Sequence, residues 1–414
     1  MINVSEGFKN AVLNGTTHNE LDIIVFGYNA DGSNLHIHNK NIVSESMTIE
    51  QAICDDSDLK FGGAVASSFE IEIVGIPDLT GRYITVQLKQ TATIPTYPGS
   101  VTFPGAKIYP GFSVYEETFN IFSGEVFSCE LSKNHLSRKL VAYDRFYWRG
   151  EINCTQWYAD QHEQSGNFYV TSIYNLRKAI CKNYKIIEAY ENDVLPIDDL
   201  EVERVDGKVS VSELLRSLCE MSGVFCMLNG SGNIEYHTLS NDPEIPDTIR
   251  KPGTEEYGFT YKDCNHDEFS KSFTGILQRG ENGASSWFGT TGENSFYVLD
   301  ENILADSYTG YSSWYDEMKD YIDWHGFMKY LRFEEYTPMN LTAPCRIWVQ
   351  VGDRVKFNVH GYSMNADGTI SSEDKEITSY VLSRRITGIQ ALTDEFTANG
   401  ENVKYTENSV FTED

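Results

Sequence analysis

The sequence predicts a mainly β protein with α+β elements, in which two β regions flank a smaller α/β unit. Three observations carry this. Apolar and polar residues alternate with period two in the first and last thirds. The middle shows helical spacing behind a capping box. The aromatic content is high, with 25 Tyr and 22 Phe, residues that favour strands and contact surfaces.

In the first third, two apolar stretches of LDIIVFGYNADGSNLHIHN flank Asn29-Ala30-Asp31-Gly32, a hairpin signal because Gly tolerates positive φ. Phe69, Ile71 and Ile73 alternate with Glu70 and Glu72, and Ile84, Val86 and Leu88 share one face. Such alternation predicts half-buried antiparallel strands. The stretch Thr91 to Pro110, rich in Pro, Thr and Gly, reads as a long loop. FNIFSGEVFS and KLVAYDRFYW return to strand patterning.

The middle changes period. Ile173, Leu176, Ile180 and Tyr184 recur at helical spacing after Ser172. Ser210-Val211-Ser212-Glu213 is a capping box ahead of Leu214, Leu218 and Met221, and Gly223 supplies the stop. A hairpin around Asn229-Gly230 follows. In the last third, Ser313 to Leu331 reads as a helix weakened by Gly326. WVQVGDRVKFNV, the Asn365-Ala366-Asp367-Gly368 turn and ITSYVLSRRITGIQAL then read as strands. These signals divide the chain into 1–149 (β), 150–245 (α/β), 246–401 (β with a helical insert) and 402–414 (an acidic tail).

The net charge is −28, which excludes a generic nucleic-acid binder, since phosphate binding needs Lys and Arg. No secretory signal opens the chain, and no run of ~18 apolar residues suggests a membrane span. The eight cysteines are scattered without a CxxC and read as reduced and mostly buried.

Candidate chemistry is sparse. His36 and His38, two apart on a strand, share a face that could hold a metal, but no further ligand stands at zinc spacing. Asp55-Asp56-Ser57-Asp58 lacks calcium-loop spacing. The doublets Glu116-Glu117 and Glu334-Glu335 point to opposite strand faces and make no acid/base pair. Cys264 and His266 are close without a catalytic signature. Arg384-Arg385 is an isolated basic doublet. The expectation is therefore no catalytic, cofactor-binding or metal residue, no cofactor and no enzyme.

Several ordered stretches resemble a known family. They are SMTIEQAICDDSDLKFGGAVASSFEIEI (Ser46 to Ile73), LVAYDRFYW (Leu140 to Trp148), and GKVSVSELLRSLCEMSGVFCMLNGSGNIEY (Gly207 to Tyr236). VGDRVKF (Val351 to Phe357) and YVLSRRITGIQALTDEFTANGE (Tyr380 to Glu401) follow. Together they resemble the tail-tip (baseplate) hub proteins of phages and prophages of Gram-positive bacteria, related in fold to the baseplate hub of contractile-tailed phages. The resemblance implies two tail-tube-like β-barrel domains plus a smaller α/β domain. It implies a virion protein assembled in the host cytoplasm, with three subunits ringing the DNA channel. A tail-tube or distal tail protein would lie above, and a spike or central fibre and the tape-measure protein would be further partners. DNA would pass without specific binding, and no stable membrane insertion is implied. The alternative is a tail-associated cell-wall hydrolase or a carbohydrate-binding host-recognition protein, for which Trp287 and Trp314 could stack on sugars. The Thr91 to Pro110 and Gly283 to Tyr315 stretches depart from the family pattern. Many relatives continue into a hydrolase or fibre domain, whereas this chain is expected to stop soon after Glu401.

Overall fold

The structure is a computed structural model. It describes the chain apart from residues 55–58, 97–110, 134, 166–167, 191–193, 196, 205–206, 259, 274, 280–284, 290–291, 294–295, 300–301, 305–333, 365–368, 403 and 406–414. The expected 313–331 helix, the 365–368 turn, Asp55 to Asp58 and most of the acidic tail lie outside the described residues.

Helix α1 (Glu6–Asn14) opens the fold, capped by Ser5, whose hydroxyl accepts from Phe8 N at 3.2 Å. Only Phe8 and Ala11 of it are buried, so its apolar stripe is too thin to read from sequence. Strands β1 (Thr16–Val25), β2 (Leu35–His38), β3 (Thr48–Ala52), β4 (Gly62–Gly63), β5 (Ser68–Val74), β6 (Tyr83–Thr96), β7 (Gly111–Leu131) and β8 (Ser137–Tyr143) follow. Phe69, Ile71 and Ile73 are buried, as their alternation predicts. Of the stretch expected as a loop, residues 91–96 are strand, and 97–110 lie outside the described residues. Pairing of β6 with β7 continues to Thr96↔Gly111, because Thr and a ladder-compatible Pro prolong the strand. The strand reading of KLVAYDRFYW also needs correction. The strand ends at Tyr143, where the Asp144 carboxylate accepts from Phe146 N at 2.9 Å and caps helix α2 (Arg145–Gly150).

The middle holds α3 (Thr155–Asp160), β9 (Glu163–Ser165), β10 (Phe168–Ser172), α4 (Ile173–Tyr184), β11 (Ile187–Glu188), β12 (Glu201–Glu203), α5 (Val211–Met221), β13 (Phe225–Leu228) and β14 (Asn233–His237). Both predicted helices are present. Ser172 caps α4, and the Ser210–Glu213 box forms in full. The last third adds β15 (Thr254–Gly258), β16 (Asp263–His266), β17 (Gly275–Arg279), β18 (Ser285–Gly289), β19 (Gly292–Glu293) and β20 (Phe296–Leu299). Beyond these lie β21 (Met339–Pro344), β22 (Arg354–Met364), β23 (Ile370–Tyr380), β24 (Ser383–Thr387), β25 (Thr393–Ala398) and β26 (Lys404–Tyr405).

The two β regions share one 11-stranded sheet of order β16-β21-β25-β24-β3-β5-β8-β7-β6-β1-β2, to which the last third contributes β16, β21, β24 and β25. β15, β22 and β23 form a separate three-stranded sheet, as do β17, β18 and β20. The seam is the antiparallel pairing of β3 with β24, which sets Ile49 opposite Ile386. No sheet closes on itself among the described strands. The Glu45 carboxylate reinforces the seam by accepting from Ile389 N at 2.8 Å and Gln390 N at 3.1 Å. The α/β unit docks on this sheet through the β13–β14 turn. The Ser123 hydroxyl donates to the Gly230 carbonyl at 2.8 Å. A Cβ at Gly230 would stand 1.8 Å from the Asn120 carbonyl oxygen, so only glycine allows this approach. One hydrophobic cluster runs through all three parts, from Phe8 through Leu214 to Phe396.

Candidate interaction faces

The buried face of the main sheet is pinned by ion pairs. Arg384 on β24 reaches across to Asp394 on β25 with Nε at 2.9 Å and Nη2 at 3.0 Å, and Arg346 N also donates to that carboxylate at 3.0 Å. Further Arg384 contacts go to the carbonyls of Val349 and Arg346. Burial pushes the Asp394 carboxyl above its usual range, and the Arg384 guanidinium pulls the other way. Arg346 in turn reaches Glu255, which also accepts from Trp348 Nε1 at 2.9 Å. In the α/β unit the fully buried Arg177 contacts Asp198 and Glu188. Asp353 accepts from Arg250 at 2.8 and 2.9 Å and from the Met1 amino group at 2.6 Å. These nodes join distant loops to strands. Arg346 and Cys345 also line a groove of about 430 Å³, but burial pushes the Cys345 thiol well above its usual range, opposite to what an activated nucleophile requires.

The outer face of the same sheet is laced with exposed pairs set by strand register. Arg385 is paired across the ladder with Glu395 on one side and Glu50 on the other, at 3.2 and 3.3 Å. Lys89 lies between Glu20 at 3.7 Å and Glu116 at 3.1 Å. Lys139 binds Glu70 at 2.7 Å, while its direct ladder partners are Glu72 and Glu130. Each of these three basic residues is flanked by two or more carboxylates.

The residues singled out by sequence scatter. His36 and His38 share the outward face of edge strand β2, where Asp22 contacts both, at 2.8 and 3.4 Å. Among the described residues, no group of three or more His, Cys, Asp or Glu is placed to hold a metal. Glu116 is exposed and paired with Lys89, and Glu334 pairs with Arg354. Cys264 lies on edge strand β16, and burial pushes its thiol up to about 11, opposite to what an activated thiolate requires. His266 instead contacts the Asp267 carbonyl at 2.9 Å. The side chain of Trp287 and all of Trp314 lie outside the described residues. All eight cysteines are free, and six are buried. Sequence reading missed the buried role of Arg384, although its two-residue alternation with Ile386 could have signalled an inward arginine needing a partner.

A second face is aromatic. The ladder between β7 and β8 slips between Val126 and Ser128, and Phe127 is turned outward at 47% exposure. It meets Tyr143, Tyr147 and Trp148 with ring centroids 5.6, 5.9 and 6.1 Å away. Tyr143 and Tyr147 stack at 4.1 Å.

No family model and no curated relative matches the chain. Among solved structures it is similar to a tail protein from Neisseria meningitidis MC58. That likeness has 14% identity and a TM-score of 0.46, and covers 93% of this chain and 98% of that one. It is also similar to the 43 kDa tail protein of prophage MuSo2 from Shewanella oneidensis, at 10% identity and a TM-score of 0.45, covering 92% and 97%. A third similarity is to a phage P2 baseplate chain, at 9% identity and a TM-score of 0.29, covering 93% and 100%. The structural neighbours are thus phage tail and baseplate proteins.

Proposed function

We propose that the chain is a structural, non-enzymatic hub protein of a phage tail tip. In this reading three copies ring the DNA channel and join the tail tube, or a distal tail protein, to a spike or central fibre, with the tape-measure protein as a further partner. The protein assembles in the host cytoplasm and is carried in the virion. The segments 1–149 and 246–401 act as the two tube-like ring modules, and 150–245 decorates them. The observation that supports this best is the seam between β3 and β24. It welds strands from both ends of the chain into one open sheet whose short edge strands, β2 and β16, would pair with neighbouring copies in this reading. No residue is assigned a catalytic, cofactor-binding or metal role.

The acid-rich outer face deepens the reading. DNA carries one negative charge per about 1.7 Å of duplex axis, and a lining with surplus carboxylate repels it and keeps it mobile. A cryo-EM map of the assembled tail tip tests both claims. Three copies per ring and a pore lined by more Asp and Glu than Lys and Arg are expected. Six copies, one copy, or a basic lining would overturn the corresponding claim. A cell-wall zymogram, expected to stay blank, tests the hydrolase alternative.

A further inference from the structure

The aromatic cluster borders a groove of about 460 Å³ that the hub reading leaves unused. Tyr147 belongs to both, being 39% exposed. Glu151, Ser212, Glu213 and Arg216 line it with Tyr147, and residues 63–66 add to the lining. The Ser212 hydroxyl donates to the Gly150 carbonyl at 3.1 Å and ties α5 to α2. The size falls within the roughly 300–1,000 Å³ typical of small-ligand clefts.

The chemistry of the lining narrows the ligand. Tyr147 rests one face on Tyr143 at 4.1 Å, and its opposite face is the one that could serve as an apolar platform for a flat face of C–H groups. Carboxylates and a guanidinium offer acceptors and donors for hydroxyl groups at the edge of the same molecule. Two carboxylates against one guanidinium disfavour a phosphate or sulfate. The charged wall disfavours a lipid chain, whose burial against it would strand polar groups. A molecule with an apolar face and a hydroxyl edge is a pyranose. We propose that this groove is a sugar-binding subsite taking pyranose units of an uncharged glycan, with Tyr147 as the stacking platform and Glu151 and Arg216 as hydroxyl partners. Phe127, turned outward by the β7 bulge, stands nearly perpendicular beside the Tyr143–Tyr147 stack and helps fix the orientation of Tyr147.

The test uses the full chain on an array of hexose and N-acetylhexosamine oligosaccharides. Calorimetry with a glucose trisaccharide and an N-acetylglucosamine trisaccharide follows. Binding of an uncharged glycan is expected, weakened about tenfold by Tyr147→Ala, the loss of one stacking contact. Tyr147→Phe should retain it, and Glu151→Gln, an exposed change that leaves the fold intact, should weaken it severalfold. Silence on the array together with silence from both trisaccharides at about 10 mM, where even a very weak complex is populated, would overturn the proposal. So would binding unchanged in Tyr147→Ala, or capture of sulfated and phosphorylated glycans alone. Loss of self-association in Tyr147→Ala without any glycan binding would assign the cluster to a protein interface and overturn it as well. The hub reading stands or falls separately, on the particle map.

Discussion

Arg384 and Arg385 are neighbours on one strand, yet they belong to different regions of the molecule. The first enters the interior and meets Asp394; the second faces outward and meets Glu395 and Glu50. Their side chains are 3% and 48% exposed. The same functional groups are thus set one residue apart in nearly dry and in wet surroundings. The interior pair has given up its hydration and must be fully bonded, so it specifies one register. The outer pairs keep their water and hold little energy, so they set the charge of a surface rather than the fold. That contrast separates what builds this protein from what it presents to partners.

The largest break in the contrast is Arg384→Ala. It leaves Asp394 buried beside Cys345 with its main partner gone, and a loss of about 3–5 kcal/mol is expected in denaturant unfolding. Replacing both members, Arg384→Met with Asp394→Leu, should recover much of that, because no charge is then stranded. A double variant as unstable as the single one would show that the pair is not the unit that matters.

A second test uses pH. Asp144 accepts from Ser67 N, Phe146 N and Tyr147 N, but burial dominates and pushes its carboxyl up to about 6. A folded pKa raised above the unfolded value means that the folded state binds the proton more tightly. The stabilising contribution is therefore complete below about pH 4 and is lost as pH rises through about 6. Relative to Asp144→Asn, which does not titrate, the wild type should lose up to about 3 kcal/mol between pH 4 and pH 7. Parallel stability curves for the two proteins across that window would remove the effect.

A third, smaller effect concerns the best-read helix. Ser210→Ala removes the acceptor for Glu213 N at the start of α5 and should cost about 1 kcal/mol in thermal or denaturant melts.

What could be read from sequence follows the range of the interactions. The capping box at Ser210, the stripe of α4 and the alternation of Phe69, Ile71 and Ile73 are local patterns, and all are realised. The seam between Thr48–Ala52 and Ser383–Thr387 joins residues more than 300 positions apart, and no local period encodes it. The end of β8 at Asp144 is a competition that capping wins over a run of strand-forming aromatics. The candidate faces were legible only as ingredients. Tyr147, Trp148 and the doublet Arg384-Arg385 are visible in the sequence, but the bulge that turns Phe127 outward and the register that aligns Glu50, Arg385 and Glu395 exist only in the paired sheet.

The smallest expected effect sharpens the contrast most. Arg385→Ala removes a cation that bridges two carboxylates across three strands, yet each pair is solvated and exchanges water for a similar contact. A stability change within about 1 kcal/mol is expected, smaller still at high salt, where a Debye length of about 3 Å at 1 M screens the pair. The substitution instead leaves Glu50 and Glu395 uncompensated and raises the negative charge of the outer face. If that face lines a channel, assembled tails carrying Arg385→Ala should release DNA at least as fast as wild type. If copies of the chain ring that channel as proposed, Arg385→Glu should repel neighbouring copies enough to lower assembly yield, with the isolated chain melting nearly unchanged. A large loss of stability in Arg385→Ala would mean that the outer face helps hold the fold and that the division between the two faces is wrong.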